Sequence, residues 1–400
     1  MRTLFVVHYP VFGGPHNQAL RLDRPLAARG WETIVLIPDE PGNANNRLTE
    51  SGLNVIQARL HRLRAKPSVM LQWNFLRGFW PGVRAIRRII REQRIDTVMI
   101  GGLVNPHAAI AARLEGVPVV WQILDTRTPR PLVRLLMPIV KRLADSVLVT
   151  GMGVANAHPG ATGFGPRLFS FFPPVDTEQF QLEQRNRRSA RDELGIAGQA
   201  LVIGSVSNVN PQKDQMTFVR AAGRLRQTDP GLRFLILGAR YPEHAQYSRD
   251  LEAEARAVGL TIGEDLLFHD PGSDVERFAS ALDIFWLTSG PRSEGIPTVI
   301  EEAMSLGLPV VTTDVGSVRD TVLDGTTGFV VAPRDPQAIA DATRKLIGDP
   351  QLRSRFGDAA RKRAVETFSV ERCADIHVAA FDAALAHNRQ RRRKPGGETS

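Results

Sequence analysis

Two doubly wound α/β domains are the architecture this sequence predicts, and three features predict it. The chain has 400 residues, too many for one ordinary core and enough for two of about 180 each. Short apolar runs alternate with helical patterns, as a parallel sheet with helices on both faces requires. That alternation occurs twice, on either side of a Pro-containing, charge-rich stretch at 172–198.

The first set opens with LFVV at 4–7, far too short for a signal-peptide core or a membrane span and therefore a buried first strand. A helix over 18–29, the run TIVLI, a helix over 83–93 and TVMI follow. Next come a helix over 106–115, VPVVWQI and SVLVT. Residues 1–172 thus form a Rossmann-like domain, and 173–198 a linker. The second set starts at LVIGSV and continues through RFLILG, LLFHD, DIFWLT, PVVTT and GFVVA, making 199–369 a second such domain. A last helix is expected over 370–388, and a basic disordered tail, beginning RQRRRK, over 389–400.

The apolar fraction of 42% and charged fraction of 23% are those of a globular chain. The single cysteine, Cys373, excludes an internal disulfide and fits a reducing compartment. No run reaches about eighteen apolar residues, so the expected location is cytoplasmic. The net charge of +9 is uneven: residues 1–185 hold 23 basic and 13 acidic side chains, and the remainder is near neutral. Between Arg59 and Arg94, ten cations face one acid, Glu92, and Trp73, Phe75, Phe79 and Trp80 interleave with them. Aromatics among cations suit an anionic membrane surface. A solvated basic helix carrying a few core aromatics is the competing reading. Nucleic acid is not expected, because no recognised binding module accompanies the charge.

The densest functional signal is Glu294-Gly295-Ile296-Pro297-Thr298-Val299-Ile300-Glu301-Glu302. The buried strand ALDIFWLT at 281–288 precedes it, and the loop 289–295 joins the two. Pro297 suits the first turn of a helix, where its missing N–H is no loss. Thr298 and Glu302 share one face of that helix, while Glu294 stays in the loop. One carboxylate can then face a sugar ring and the other accept hydroxyl hydrogen bonds, with the N–H groups of the helix start between them for a diphosphate.

With GLPVVTTDVG at 307–316 and DGTTGFVV at 324–331, this segment resembles the retaining glycosyltransferases of family 4, which have the GT-B fold. The similarity runs from about Met1 to Phe368. The resemblance implies a donor site on the C-terminal domain, an acceptor site on the N-terminal one, a cleft between them and a last helix that crosses back. It implies that Glu302 binds the ribose hydroxyls of a nucleotide-diphosphate sugar, UDP or GDP, and that Glu294 lies beside the donor sugar. Retaining transfer of this kind needs stabilisation of the departing negative charge. Lys213, in the loop Asn208-Val209-Asn210-Pro211-Gln212-Lys213-Asp214, is the candidate for that task. Gly13 and Gly14 resemble the glycine turn that admits the donor phosphates. Asp270, with Pro271 and Gly272, occupies the place of the nucleobase-contacting loop.

Two positions depart from the family pattern. Asn208 stands where an arginine normally joins the lysine at the diphosphate, a loss of about ten to a hundredfold unless Arg292 or Arg240 substitutes. Leu124 stands where a histidine near the donor sugar is common, and Asp125 is the neighbour able to take over part of that role. His16, His107 and His269 are placed in loops near the site, more readily structural than catalytic. No Asp-x-Asp pair in a metal-dependent setting and no zinc spacing occurs, so no cofactor and no essential metal are expected. The acceptor implied is a glycan or lipid-linked sugar in envelope polysaccharide assembly. A non-catalytic GT-B subunit and a sugar-nucleotide epimerase are the alternatives.

Overall fold

The computed structural model describes residues 1–60, 69–126, 128–291 and 294–393. The chain forms two compact units, one of Met1–Pro174 joined by the segment from Val370, the other of Val175–Ser369. In the first unit β1 (Arg2–Val6), α1 (Gly14–Ala28), β2 (Glu32–Pro38), α2 (Ala44–Glu50), β3 (Asn54–Ala58) and α3 (Val69–Glu92) come first. They are followed by β4 (Thr97–Gly101), α4 (Pro106–Glu115), β5 (Val119–Ile123), α5 (Arg130–Leu143), β6 (Ser146–Thr150), α6 (Gly151–Ala157) and β7 (Leu168–Phe171). The second unit contains α7 (Gln184–Glu193), β8 (Val202–Val206), α8 (Gln215–Arg226), β9 (Arg233–Leu237), α9 (Ala245–Ala257), β10 (Leu266–His269) and α10 (Val275–Ala279). It continues with β11 (Ile284–Leu287), α11 (Thr298–Ser305), β12 (Val310–Thr313), α12 (Val318–Thr321), β13 (Gly328–Val331), α13 (Pro336–Gly348) and α14 (Pro350–Thr367). The long α15 (Val370–Arg393) belongs to the first unit.

Both sheets are parallel, ordered β3-β2-β1-β4-β5-β6-β7 and β10-β9-β8-β11-β12-β13. Strands β4, β5 and β6 are buried along their whole length, which their mainly apolar sequences allow because helices cover both faces. On one face Val83, Ile86 and Ile90 of α3, the alanines of α4 and Val133, Leu136 and Val140 of α5 close the core. On the other, Leu22 and Leu26 of α1 meet Ala374, Ala380 and Phe381 of α15. A polar contact fixes that second face: His377 of α15 is buried with its Nδ1 2.8 Å from the Cys373 carbonyl. Its Nε2 lies 2.8 Å and 3.0 Å from the amide nitrogens of Gln18 and Gln122. The ring therefore donates from Nδ1 and accepts both amides at Nε2. Burial holds its pKa down to about 4.

The structure corrects several expected boundaries. The first helix starts at Gly14 rather than 18, and α3 starts at Val69 rather than 83, running through Pro81. Its N-terminal half is held by Phe79, which packs edge-on against Phe75 at 5.6 Å and against His107 of α4 at 6.3 Å. Its C-terminal half is tied down by Arg87 and Arg91, which donate to Glu115 at 2.5 Å and 2.7 Å. The hydrogen bonds from Arg91 and then Arg87 bring the Glu115 pKa down to about 2. Most of the expected linker, from Val175 onward, belongs to the second unit and contains α7. Its charge is structural: Arg187 and Arg191 both reach Asp283, at 2.5 Å and 2.7 Å, and bind the Ser280, Leu282 and Ala281 carbonyls ahead of β11. The expected disordered tail is helical through Arg393, where Arg392 donates to the Gly116 carbonyl at 2.5 Å. Residues 394–400 lie outside the described residues.

Candidate functional site

In the second sheet the strand order reverses between β8 and β11, the place in an open α/β sheet where a ligand crevice lies beyond the carboxyl ends of the strands. The loop after β8 is a series of turns. Asn210 Oδ1 accepts the Gln212 and Lys213 N–H groups at 3.0 Å and 3.3 Å, an Asx turn. Asp214 then adopts a left-handed conformation, φ 49°, and caps α8 by accepting from Thr217 N and Oγ1. The loop is fastened to the end of β11 by Thr288 Oγ1, which donates to the Lys213 and Asp214 carbonyls, and by Gly290 N, which donates to the Gln212 carbonyl.

This fastening brings Lys213 and Glu294 together. Lys213 Nζ is 2.6 Å from Glu294 Oε1, and Ser289 Oγ donates to the same oxygen at 2.8 Å. Glu294 is 5% exposed, so its charge is balanced by an ammonium and a hydroxyl rather than by bulk water. The loop after β12 braces it from behind. Ser317 N donates to the Gly295 carbonyl at 2.9 Å, and Thr313 Oγ1 donates to the Ser289 carbonyl at 2.7 Å. Gly316 has φ +59°, and a Cβ there would stand 2.3 Å from the Gly295 carbonyl oxygen.

Helix α11 begins at Thr298 with Pro297 in the cap position. Gly295, Ile296 and Pro297 are buried, Thr298, Val299 and Glu302 half-buried. Ile300, Ala303 and Met304 face the core, which leaves the Thr298 and Glu302 side of the helix for the crevice. Glu301 is fully buried on another face, and its charge acts on Arg363, whose guanidinium donates to the Asp320 and Thr321 carbonyls.

The other expected donor residues are at strand ends too, with different partners. Asn208 Oδ1 accepts from Ala239 N at 3.0 Å, and the Asn208 carbonyl accepts from Gln215 Nε2, so this residue ties the β8 loop to the β9 loop. Asp270 Oδ1 accepts from Gly272 N at 3.1 Å in the turn after β10. Arg240 is engaged elsewhere, 2.5 Å from Glu252 and 4.0 Å over the Phe268 ring. Arg292 lies outside the described residues.

In the first unit the same kind of strand-order reversal falls between β1 and β4. Gly13 caps α1 and Gly14 is its first residue. Nothing lies within 4 Å of where a Cβ would sit on either, and Gly13 is extended, so these glycines leave room rather than make a left-handed turn. Asp125 follows β5, half-buried, and its charge acts on the buried His158, whose pKa is lowered by desolvation first and raised in part by the Val154 carbonyl and Asp125. The preceding Leu124 offers its carbonyl to Thr150 Oγ1 at 2.6 Å. His16 and His107 were expected in loops but are buried in α1 and α4. His16 Nδ1 accepts from Gly13 N and its Nε2 donates to the Tyr9 carbonyl, so it is part of the helix cap. His269 ends β10 with its ring 4.1 Å from that of Phe278. Among the described residues no group of three His, Cys, Asp or Glu side chains is placed to hold a metal ion.

Ser289, Glu301 and Gly316 were not foreseen. A hydroxyl residue closing a buried strand is the only local sign of Ser289. Glu301 and Gly316 lie within the segments that carry the family resemblance, but no spacing there assigns either of them a role.

Two parallel sheets, each with one strand-order reversal, a Lys–Glu pair at one of them and a glutamate one turn into the next helix are the parts expected of a GT-B glycosyltransferase. Residues 186–363 match the family described as glycosyl transferases group 1, and residues 13–158 match the glycosyl transferase 4-like domain. The chain belongs to this glycosyltransferase family, which favours transfer over the epimerase and non-catalytic alternatives. Among curated proteins it is similar to the GDP-mannose-dependent alpha-(1-6)-phosphatidylinositol monomannoside mannosyltransferase of Mycolicibacterium smegmatis, 28% identical over 301 residues that cover 71% of this chain and 75% of that one. It is 35% identical over 230 residues to the D-inositol 3-phosphate glycosyltransferase of Geodermatophilus obscurus, covering 56% of this chain but only 49% of that protein. Among solved structures, HepE of Anabaena in complex with UDP superposes with a TM-score of 0.81 over 96% of this chain and 100% of that one, at 21% identity.

Proposed function

We propose that the protein is a retaining glycosyltransferase that moves a sugar from a UDP or GDP sugar to a glycan or lipid-linked acceptor in cell-envelope polysaccharide or glycolipid assembly. The Lys213–Glu294 pair at the β8/β11 crevice is the observation that carries this reading. An ammonium has three donors. Lys213 can keep one on Glu294 and turn another to the diphosphate as the glycosidic bond breaks, offsetting the negative charge that develops there. Glu302 takes the ribose hydroxyls, and the start of α11 receives the phosphates. Glu294 then orients the sugar, and the Asp270 turn borders the base. The reaction uses no essential metal. Activity lost in chelator and restored by magnesium or manganese would reject that part.

The acceptor class is supported by the mannosyl phosphatidylinositol relative and by α3. Trp73, Arg77, Trp80 and Arg84 fall on one stripe of that helix, and all four are exposed, the tryptophans by 58% and 56%. Phe75 and Phe79 turn toward the protein instead. Of the basic segment from Arg59 to Arg94, residues 61–68 lie outside the described residues. No helix of the described residues is long and apolar enough to cross a membrane, and α3 supports peripheral attachment to an anionic lipid surface. The deciding experiment measures sugar transfer and nucleoside-diphosphate binding for wild type, Lys213→Ala and Glu302→Ala. Wild-type rates in both variants would sink the assignment.

A further inference from the structure

A second helix of the first unit repeats the surface chemistry of α3, and the charge-rich segment from Arg59 to Arg94 does not include it. Between Asp125 and Asp145 the chain has no acidic residue. Helix α5 occupies this interval and divides sharply into two faces. Val133, Leu136, Met137 and Val140, at helical spacing, enter the same core cluster as the buried face of α3. Arg130, Arg134, Lys141 and Arg142 are exposed, and among the described residues none of the four makes an ion pair. Leu135 stands among them, 65% exposed. A single exposed leucine is ordinary, but a helix face that carries only cations beside it has the composition of an interfacial helix.

Helices α3, α4 and α5 cover one face of the seven-stranded sheet, with α4 touching both others. Helix α4 is nearly all buried, with Leu114 exposed by 51% at its end. The outer side of this layer therefore carries two cationic ridges, each with protruding apolar side chains. The few carboxylates nearby are engaged: Glu115 by Arg87 and Arg91, and Glu92 by Arg88.

We propose that α5 and α3 together form a two-helix landing face for an anionic lipid bilayer. The proposal rests on the peripheral-attachment reading above and names its second half. Cations attract the headgroup layer while Leu135, Trp73 and Trp80 enter the acyl boundary. A nucleic-acid partner would use the cations and leave an exposed leucine and two exposed tryptophans without a role on a duplex backbone. Two contact lines rather than one would also fix the rotation of the first unit about the α3 axis.

The test uses the full chain and vesicles of phosphatidylcholine with or without phosphatidylglycerol at low salt. The α5 variant is Arg134→Gln with Leu135→Ser and Lys141→Gln, and the α3 variant is Trp73→Ser with Trp80→Ser. None of these residues belongs to the donor site, so donor turnover with a soluble acceptor and the circular-dichroism spectrum serve as controls for folding. The expected result is that each variant loses at least about tenfold in partition to anionic vesicles. A fluorophore on Leu135→Cys should shift to the blue on those vesicles and stay unshifted on neutral ones. If the α3 variant detaches while the α5 variant partitions like wild type, the role of α5 is overturned and peripheral attachment stands. If wild type ignores anionic vesicles altogether, both fall. If the α5 variant instead loses binding to duplex RNA and keeps vesicle binding, the surface is a nucleic-acid site and the inference is wrong.

Discussion

Lys213 Nζ and Glu294 Oε1 stand 2.6 Å apart although they leave different strands and are separated by 81 positions in the chain. A positive donor is thus held at the crevice before any substrate arrives. Lys213→Ala removes it, and transfer is expected to fall by about 10²- to 10³-fold, the loss typical of one charge-stabilising donor. Steady-state kinetics with a nucleotide-sugar panel checks this, and a fall below threefold would refute the role.

Ser289 shares Glu294 Oε1 with the lysine. Ser289→Ala leaves the carboxylate with one donor fewer in a buried place. A hydrogen bond to a charged group contributes about 1.5 to 3 kcal/mol to stability, so the melting temperature should fall by several degrees, and the donor kcat/KM should drop by about tenfold or more because Glu294 loses its fixed position. A large thermal loss with unchanged kinetics would make Ser289 purely structural.

Gly316 should not tolerate alanine. The left-handed backbone costs an L-residue about 1 to 2 kcal/mol, and the added Cβ would press on the Gly295 carbonyl. Since that carbonyl belongs to the loop carrying Glu294, Gly316→Ala is expected to lower transfer as well as stability. Kinetics and denaturant titration of the same variant separate the two effects.

Asn208 gives a contrasting expectation. Its side chain is engaged with Ala239 N, so Asn208→Ala should cost about 1 kcal/mol of stability, or about 2 to 4 °C in melting temperature, more than it costs in catalysis. A hundredfold kinetic loss at unchanged stability would instead show that Asn208 acts on the donor.

His377 predicts a pH dependence. Its folded pKa of about 4 lies below the ordinary 6.5, so between these values the unfolded chain binds more protons than the native one. The stabilisation is complete above pH 6.5 and is lost as pH falls toward 4, by an amount on the order of 3 kcal/mol. Urea titrations across this range should show a shallower slope for His377→Gln than for wild type. An identical slope would assign the acid sensitivity to other groups such as His16 and His158, whose pKa values burial also lowers.

The alternation of apolar runs made the strands legible, because strands buried on both faces have no polar side to break the pattern. The Glu294 to Glu302 spacing was legible for a similar reason, being local. What stayed hidden depends on contacts between distant segments. Arg187 and Arg191 look like linker residues until Asp283 is beside them. Phe79 anchors a helix through Pro81 only because His107 waits on α4. Asn208 seemed a lost arginine, and its engagement with Ala239 is visible only once β8 and β9 are paired.

The place of α15 has a consequence for how the protein is made. The stretch Val175–Ser369 is enclosed by the two parts of the first unit, and its own ends meet, Val175 N donating to the Phe368 carbonyl at 2.8 Å. During synthesis the second unit is therefore the first to have all of its chain. The other waits, with the face formed by Leu22, Leu26 and Trp31 uncovered, until Phe381 emerges and closes over it.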